Sequence, residues 1–268
     1  MNGYAVTLLD TNHVEWALTD GAPGRSGVWL MGPPDLQSEI NSATRATTRQ
    51  IGAESTGWSI DPMTGTLQFG LWSTEGLLEP WSAFVNGLSP FRDSVLTVVT
   101  PGHGEAVAGV RLDGQVPMPD QSPASRGLLT LAFDVPVVAY AGAWEADVTV
   151  SSQSSTSWIN LGDLPARGLI RWSGPGATVR IREVGGAFDT GVVALPTPPA
   201  GMTAELDLDP AVASRVTVDG EPNPVLWRAM RARFFPDILP GHDVVVTLTG
   251  VAEVELAARI THPWRWTV

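Results

Sequence analysis

The run LIRWSGPGATVRIREV, residues 169–184, contains two segments rich in strand-forming residues around a Gly-Pro pair. Leu169–Trp172 and Thr178–Val184 are both strand candidates, since each is short, apolar and bounded by turn-forming residues. Gly174 and Pro175 between them are typical of a turn. The run therefore predicts strand, turn and strand, and this pattern recurs through the second half of the chain.

Further strand candidates flank this run on both sides. They are Glu145–Val150, Gly191–Leu195, Ala204–Leu208, Arg215–Val218, Val244–Leu248 and Val254–Ile260. Seven or more strands with almost no helical segment predict a β-sandwich. The exception is Val225–Phe234, where the apolar spacing fits a short helix, although its run into Phe235-Pro236 fits a strand equally well.

The first half of the chain also reads as strands, with one change of period. The strand candidates are Tyr4–Leu9, Val14–Leu18, Leu67–Ser73, Val95–Thr100, Ala106–Leu112 and Gly127–Phe133. Trp81, Phe84, Val85 and Leu88 follow Pro80 at helical spacing, which predicts one helix in this half. Asp35–Gly52 is polar, and we interpret it as an extended arm or a long loop.

A break in the strand pattern divides the chain. The pattern ends at Pro136–Gly142, and a new alternating run starts at Glu145. We therefore expect two domains, residues 1–139 and residues 140–268. The expected fold class is all-β, with an N-terminal β-sandwich or barrel that includes one helix and a C-terminal β-sandwich. Because no repeat of fixed period occurs, a propeller or solenoid is not expected.

The composition excludes several kinds of chemistry. The chain has no Cys, and all 16 of its basic residues are Arg. Without a thiol there is no cysteine nucleophile, disulfide or thiolate zinc site. Without Lys there is no P-loop lysine, Schiff base or Ser-x-x-Lys dyad.

The charge balance argues against nucleic-acid and lipid partners. A formal charge of −12 makes the surface as a whole repel DNA and anionic membranes. The chain does not begin with a basic segment followed by a long apolar one, and the longest apolar stretch, Val135–Trp144, is too short to span a membrane. We expect a soluble protein that is made in the cytoplasm, with no membrane insertion.

Two groups of residues are candidates for binding. The chain has 11 Trp, and Trp172, Trp264 and Trp266 could stack on sugar rings, although packing inside a sandwich is the competing interpretation. Arg228, Arg231 and Arg233 form the densest basic patch of an acidic chain. Because Arg is favoured at protein interfaces, we interpret this patch as a subunit contact.

No motif predicts a catalytic, cofactor-binding or metal-binding residue. The four histidines are scattered without metal-ligand spacing, and no Gly-x-Ser-x-Gly occurs. A pair of acids for glycoside cleavage stays open as an alternative, because only the fold sets the separation of two carboxylates. The acids to consider for such a pair are Glu183, Glu205, Asp207 and Asp209.

Segments in both halves resemble siphophage distal tail proteins. In the second half, three pieces resemble the galectin-like domain of that family in order and spacing. They are Asn160–Ala166 with Leu169–Pro175, Ala204–Pro210 with Arg215–Val218, and Phe234–Gly241 before Val244–Leu248. In the first half, Trp81–Leu88 followed by Val95–Pro101 is similar to the ring domain of the family, in which a tryptophan-bearing helix precedes a strand ending in Thr-Pro-Gly.

The resemblance implies a structural virion protein, with no cofactor and no catalysis. Its N-terminal domains would form a hexameric ring that joins the tail tube to the baseplate or tail tip, with Trp81 and Phe84 at subunit interfaces. Its partners would be copies of itself, the tail tube protein, the tape measure protein and tail-tip proteins, while DNA passes through the lumen without specific binding. The Arg-only composition is typical of GC-rich genomes and points to an actinobacterial phage. The alternatives are a carbohydrate-binding module for host-wall glycans and a glycan hydrolase.

Overall fold

The computed structural model describes most of the chain as antiparallel β-structure. The described residues are 4–19, 27–45, 54–101, 104–125, 127, 129–186, 188–208, 215–230, 235 and 237–263. They form two compact units that divide after Trp144, and residues 261–263 belong to the first. The predicted all-β class is confirmed. Neither of the two described helices has the length and apolar character that a membrane crossing would require.

The first unit contains nine strands and one helix. These are β1 (Ala5–Leu9), β2 (Glu15–Ala17), β3 (Val28–Leu30), β4 (Ile40–Arg45), β5 (Glu54–Ile60), β6 (Met63–Trp72), α1 (Leu78–Asn86), β7 (Ser94–Thr100), β8 (Gly104–Leu112) and β9 (Thr130–Ala139). One antiparallel sheet has the order β2-β1-β7-β8, and a second has the order β3-β6-β9. The two sheets join where the end of β8 pairs with β9.

The helix of the first unit lies where the sequence predicts it. α1 places Phe84 in the core, with its ring 5.1 Å from that of Trp16, 4.8 Å from that of Phe69 and 5.9 Å from that of Phe133. Pro80 lies in the first helical turn, where a missing N–H removes no helical hydrogen bond. α1 therefore supplies the central side chain of an aromatic core.

The break predicted at Pro136–Gly142 begins only after Ala139, because β9 continues through Pro136. β9 pairs with β6 along its whole length, with Pro136 opposite Thr66. The Pro136 carbonyl accepts a hydrogen bond from the Asp113 N–H at 3.0 Å. A proline is tolerated in a strand where only its acceptor is needed, so this proline does not end the strand.

The second unit contains the remaining strands and a short helix. These are β10 (Trp144–Ser151), β11 (Ser155–Ile159), β12 (Leu164–Glu183), β13 (Val193–Ala194), β14 (Ala204–Asp207), β15 (Val216–Val218), β16 (Glu221–Pro222), α2 (Pro224–Ala229) and β17 (Asp243–Ile260). β12 and β17 pair with each other over almost their whole lengths. One end of this pair carries β14, β15 and β16 on the β12 side, while β13 and β11 flank the other end.

The opening run of the sequence forms one bent strand, not two strands and a turn. β12 extends through Gly174-Pro175-Gly176, and its pairing with β17 shifts register between Ser173 and Thr178. Gly174 and Gly176 have φ values of +75° and +79°, a region that strongly favours glycine. The two halves of β12 then contribute to one core, which includes Ile170 and Trp172 before the bend and Val179 and Ile181 after it.

The ambiguous segment after residue 224 is helical at its start. α2 spans Pro224–Ala229, and the Asn223 side chain accepts a hydrogen bond from the Leu226 N–H at 3.0 Å. An Asn at the N-cap followed by Pro at the first position is a favourable helix start. Phe234, which the sequence also assigned to this helix, lies outside the described residues.

A buried asparagine joins two loops of the second unit. The Asn160 side chain is fully buried, and its amide donates to the carbonyls of Leu164 at 2.9 Å and Ile238 at 2.8 Å. Its side-chain oxygen accepts from the Gly162 N–H at 3.0 Å. Gly162 itself packs against the backbone of Arg259, where a Cβ would clash with the carbonyl oxygen. The segment that follows β11 is thus locked to the segment that precedes β17.

Replacing Asn160 with Ala is expected to lower the free energy of unfolding by about 3 kcal/mol, because two carbonyls and one N–H lose their partner. Chemical denaturation measures this loss. The matched control is Asn41→Ala, which removes only an exposed bond from Asn41 to the Asp61 carboxylate and should change stability by about 0.5 kcal/mol or less. Equal effects of the two substitutions would contradict the structural role of Asn160.

Adding a methyl group at Gly162 is an independent test of the close approach between Gly162 and the backbone of Arg259. We expect Gly162→Ala to destabilise the second unit by more than about 1 kcal/mol, since the obstacle is backbone and cannot rotate away. Gly185→Ala is the control within the same unit, because no atom lies within 4 Å of a Cβ at Gly185. Thermal unfolding of both variants provides the comparison, and a stable Gly162→Ala variant would count against the packing.

Candidate assembly surfaces

A two-stranded arm is the most unusual feature of the first unit. β4 and β5 pair antiparallel from Ile40↔Ile60 to Arg45↔Glu54, and no other strand in the described part of the chain pairs with either. The Asp61 N–H donates to the Glu39 carbonyl at 3.0 Å, which closes the base of the arm. A two-stranded ribbon is marginally stable alone and leaves both edges open to another chain.

The arm lies in the polar segment that the sequence singled out. The predicted range, Asp35–Gly52, covers β4 and the chain before it, while β5 lies beyond its end. The prediction of an extended arm agrees with β4. The second strand was missed because Glu54–Ile60 is rich in Ser, Thr and Gly and lacks the alternating apolar residues that indicate a half-buried strand.

An aromatic side chain is also presented to solvent by the first unit. Phe91 is 84% exposed, and its loop is ordered because Ser89 Oγ accepts from the N–H groups of Phe91 at 3.1 Å and Arg92 at 3.2 Å. An exposed aromatic ring on a loop whose backbone is already fixed loses less conformational freedom when a partner covers it. Phe91 was not among the residues singled out from the sequence, because exposure of one Phe cannot be seen in a pattern.

The two ring-domain residues expected at subunit interfaces differ in position. Phe84 is 0% exposed and lies among the core rings described above, so it has no surface to offer a neighbouring subunit. Trp81 is half-buried, and its indole N–H is buried with no acceptor in the described part of the chain. The expectation for Phe84 is therefore replaced by a core role, because helical spacing identifies the buried face of α1 and not its outer one.

The predicted basic patch is described only in part. Arg228 is exposed at the end of α2, whereas Arg231 and Arg233 lie outside the described residues. The neighbouring Trp227 has the Arg215 guanidinium over its ring, at 5.6 Å from the centroid. A subunit contact through the three arginines stays a prediction.

The predicted sugar platform does not form at Trp172. Trp172 is 1% exposed in the core of the second unit, and its indole N–H donates to the Pro196 carbonyl at 2.8 Å. A ring in this position has no face open to a glycan. Trp264 and Trp266 lie outside the described residues.

Two of the acids considered for glycoside cleavage, Glu183 and Glu205, lie near opposite ends of β12, whereas Asp207 lies two residues after Glu205 on the same face of β14. Glu205 binds Arg171 at 2.7 Å on one end of β12, and Glu183 contacts His242 Nδ1 at 2.9 Å at the other end. Asp207 is on β14, and Asp209 lies outside the described residues. A cleft of about 560 Å³ in this unit is lined by Ser173–Pro175 and Thr197–Thr203, which include no carboxylate. No cluster of metal ligands occurs among the described residues.

An arginine instead binds together three strands of the second unit. The Arg171 guanidinium contacts Glu205 on β14 at 2.7 Å and, on β17, Glu255 at 2.8 Å and Glu253 at 3.4 Å. The hydrogen bond to Glu255 is the main cause that raises the Arg171 pKa, followed by the bond to Glu205. This network neutralises part of an acidic sheet face, leaves it net negative, and holds β12, β14 and β17 together.

Similarity to solved structures appears over nearly the whole chain. The SPP1 Dit protein, described as a paradigm of the hub adsorption apparatus in phages that infect Gram-positive bacteria, matches with a TM-score of 0.56 and 10% identity over 95% of this chain and 98% of that one. Chains of the phage P2 baseplate in its activated conformation, with Ca and with Sr, match with TM-scores of 0.53 and 12% identity, over 95% of this chain and 98% and 97% of those chains.

The chain has the fold of a phage Dit protein. At 10 to 12% identity this likeness concerns the fold alone. No protein-family model matches the sequence, and no curated protein matches it either. Because the match covers both units, the Dit-like fold is a property of the whole chain and not of one sandwich within it.

Asp147 is a carboxylate of the second unit whose pKa is shifted by the fold. Asp147 on β10 has a φ of +50°, and burial raises its pKa above the ordinary value, while interaction with the Trp158 indole lowers it by less. A raised folded pKa means that the fold holds this proton more tightly than the unfolded chain. Stability is therefore lost as pH rises through the folded pKa of Asp147.

Asp147→Asn is expected to raise the unfolding temperature at pH 7 by about 1–3 °C, since the amide removes a desolvated charge and tolerates positive φ. The advantage should shrink below pH ~3.8, where the unfolded carboxyl is also protonated. Asp219→Asn is the control, because Asp219 also has positive φ, at +47°, but is exposed. Calorimetry at both pH values measures the unfolding temperatures. Equal behaviour of the two variants would contradict the raised pKa of Asp147.

Proposed function

We propose that the chain is the distal tail protein of a phage, a ring-forming hub that joins the tail tube to the baseplate or tail tip. The observation that carries this proposal is the Dit-like fold over 95% of the chain. The segments that resemble distal tail proteins in sequence support it independently. In this proposal the second unit is the galectin-like domain, and the virion tail is the place where the protein acts.

Ring formation needs a contact that differs on the two sides of each subunit. The β4–β5 arm is suited to such a contact, because its open edges can pair with strands of the next subunit. Such a contact is heterologous. It closes into a ring when a whole number of equal rotations from one subunit to the next completes a full turn. We propose six subunits, as the resemblance implies, with Phe91 as an additional contact.

The acidic charge suits a channel for DNA. With a formal charge of −12 per chain, a ring would repel the phosphate backbone. DNA would then pass through the lumen without binding to its wall. The tail tube protein, the tape measure protein and tail-tip proteins are the partners that this position implies, and the Arg-only composition supports an actinobacterial host.

Removal of the arm is the direct test of ring formation. The variant replaces residues 41–59 with Asn-Gly, which joins the paired residues Ile40 and Ile60 through a two-residue hairpin turn. Because the bond from the Asp61 N–H to the Glu39 carbonyl closes the base, the first unit should keep its fold. We expect the wild-type chain to form a closed ring by native mass spectrometry, and the variant to be monomeric.

The control is Asn41→Ala, which keeps the arm and loses one exposed bond at its base. Far-UV circular dichroism and thermal unfolding check that the shortened variant is folded. A shortened variant that forms the same ring as the wild type would show that the arm is not the contact. A wild-type chain missing from purified phage tails would overturn the proposed function itself.

A further inference from the structure

The outer strand β11 of the second unit is unpaired along one edge. β11 pairs with β17, from Ser155↔Thr247 to Ile159↔Asp243, and no second strand in the described part of the chain pairs with it. Ser155, Ser157 and Ile159 are all exposed. Among the described residues, no strand covers the side of β11 away from β17.

The hydrogen bonds at the two ends of β11 set its phase. The Leu248 N–H donates to the Ser154 carbonyl at 3.0 Å, and the Asn160 N–H donates to the His242 carbonyl at 3.0 Å. Because bonded residues alternate in an antiparallel pair, residues 154, 156, 158 and 160 direct their backbone groups toward β17. The N–H and C=O groups of Ser155, Ser157 and Ile159 point the other way, toward the open edge.

The open edge lacks the features with which soluble proteins protect such strands. Natural edges carry charges, prolines or bulges, or are very short. Residues 148–162 contain no charged residue and no proline. The other outer strands of this unit are two residues long, and one of them, β16, consists of Glu221 and Pro222. β11 has five residues and none of these devices.

A carboxylate lies beside this edge. The Ser157 hydroxyl donates to the Asp243 carboxylate at 3.2 Å, and this bond is exposed. A second copy of β11 paired with this edge would bring its own Asp243 toward this acid, which like charges disfavour. A strand with basic side chains would complement Asp243.

We propose that the β11 edge is a docking site for an extended segment of a different tail protein. The segment adds as an outer strand by main-chain hydrogen bonds to Ser155, Ser157 and Ile159, and it places basic side chains near Asp243. This mode of recognition derives affinity from the backbone and selectivity from alternate side chains. The identity of the partner as a tail protein rests on the proposed function, whereas the edge itself does not.

Ser157→Pro tests the edge without disturbing the pairing with β17. The Ser157 N–H points outward, so proline removes a donor only from the open edge and blocks an incoming strand. Ser157→Ala, which keeps the N–H, is the matched control. In phage that carry the variants, we expect Ser157→Pro to lower the yield of infectious particles at least tenfold, and Ser157→Ala to stay within twofold of wild type.

Two measurements on the purified Ser157→Pro protein separate the possible causes. Its ring mass and unfolding temperature should equal those of the wild type, because the arm and the β17 ladder are intact. A change in ring mass would make β11 a contact between copies and would overturn the proposal. Normal infectivity of Ser157→Pro would also overturn it. Failure of the proposed function would appear differently, as a wild-type chain with no ring and no place in tails.

Two substitutions of opposite charge at Ser155 keep the test valid if the Ser157→Pro protein unfolds. Ser155→Lys should lower infectivity at least tenfold by repelling a basic strand, while Ser155→Glu should stay within twofold of wild type. The opposite ranking, or equal effects, would overturn the choice of a basic partner. Hydrogen exchange at residues 155, 157 and 159 should slow at least tenfold in intact tails relative to the purified protein, and unchanged exchange would overturn docking.

Discussion

The antiparallel ladder between β12 and β17 is the constraint on which the second unit depends. Each strand is long enough to serve both ends of the sandwich, so every other strand of this unit is placed by pairing with one of them or with a strand that they hold. The bend at Gly174-Pro175-Gly176 and the positive φ of Gly250 let both strands turn at the point where the ladder shifts register, between Ser173 and Thr178. Asn160 then ties the segment before β12 to the segment before β17, which sets where the ladder begins.

The same constraint determines which surfaces are open to partners. Because β17 pairs with β12 on one side, β11 can occupy only its other side, and the phase of their hydrogen bonds directs alternate backbone groups outward. In the first unit the corresponding feature is the β4–β5 arm, whose strands pair only with each other in the described chain. Both features offer main-chain hydrogen bonds, and they lie in segments with few apolar residues, where burial cannot supply the binding energy.

The acids with identified partners serve structural pairs, such as Glu205 and Glu255 with Arg171 and Asp10 with the turn that follows β1. The fold shared with the Dit protein at 10% identity shows that this architecture tolerates almost complete replacement of its side chains.

The sequence by itself determined the all-β class and the single helix of the first unit, because each follows from local periodicity and turn chemistry. It also marked the polar segment that contains β4, although it left open whether that segment is an arm or a loop and missed β5. It did not reveal that Pro136 lies inside β9 or that residues 169–184 form one bent strand, since those outcomes depend on which partner strand supplies the hydrogen bonds. Phe84 and Trp172 became core residues for the same reason: a pattern shows that a side chain is apolar, while only packing decides which neighbour covers it. The open edge of β11 is likewise a tertiary property, because the sequence does not show which strand pairs with β11 or which of its two sides stays unpaired.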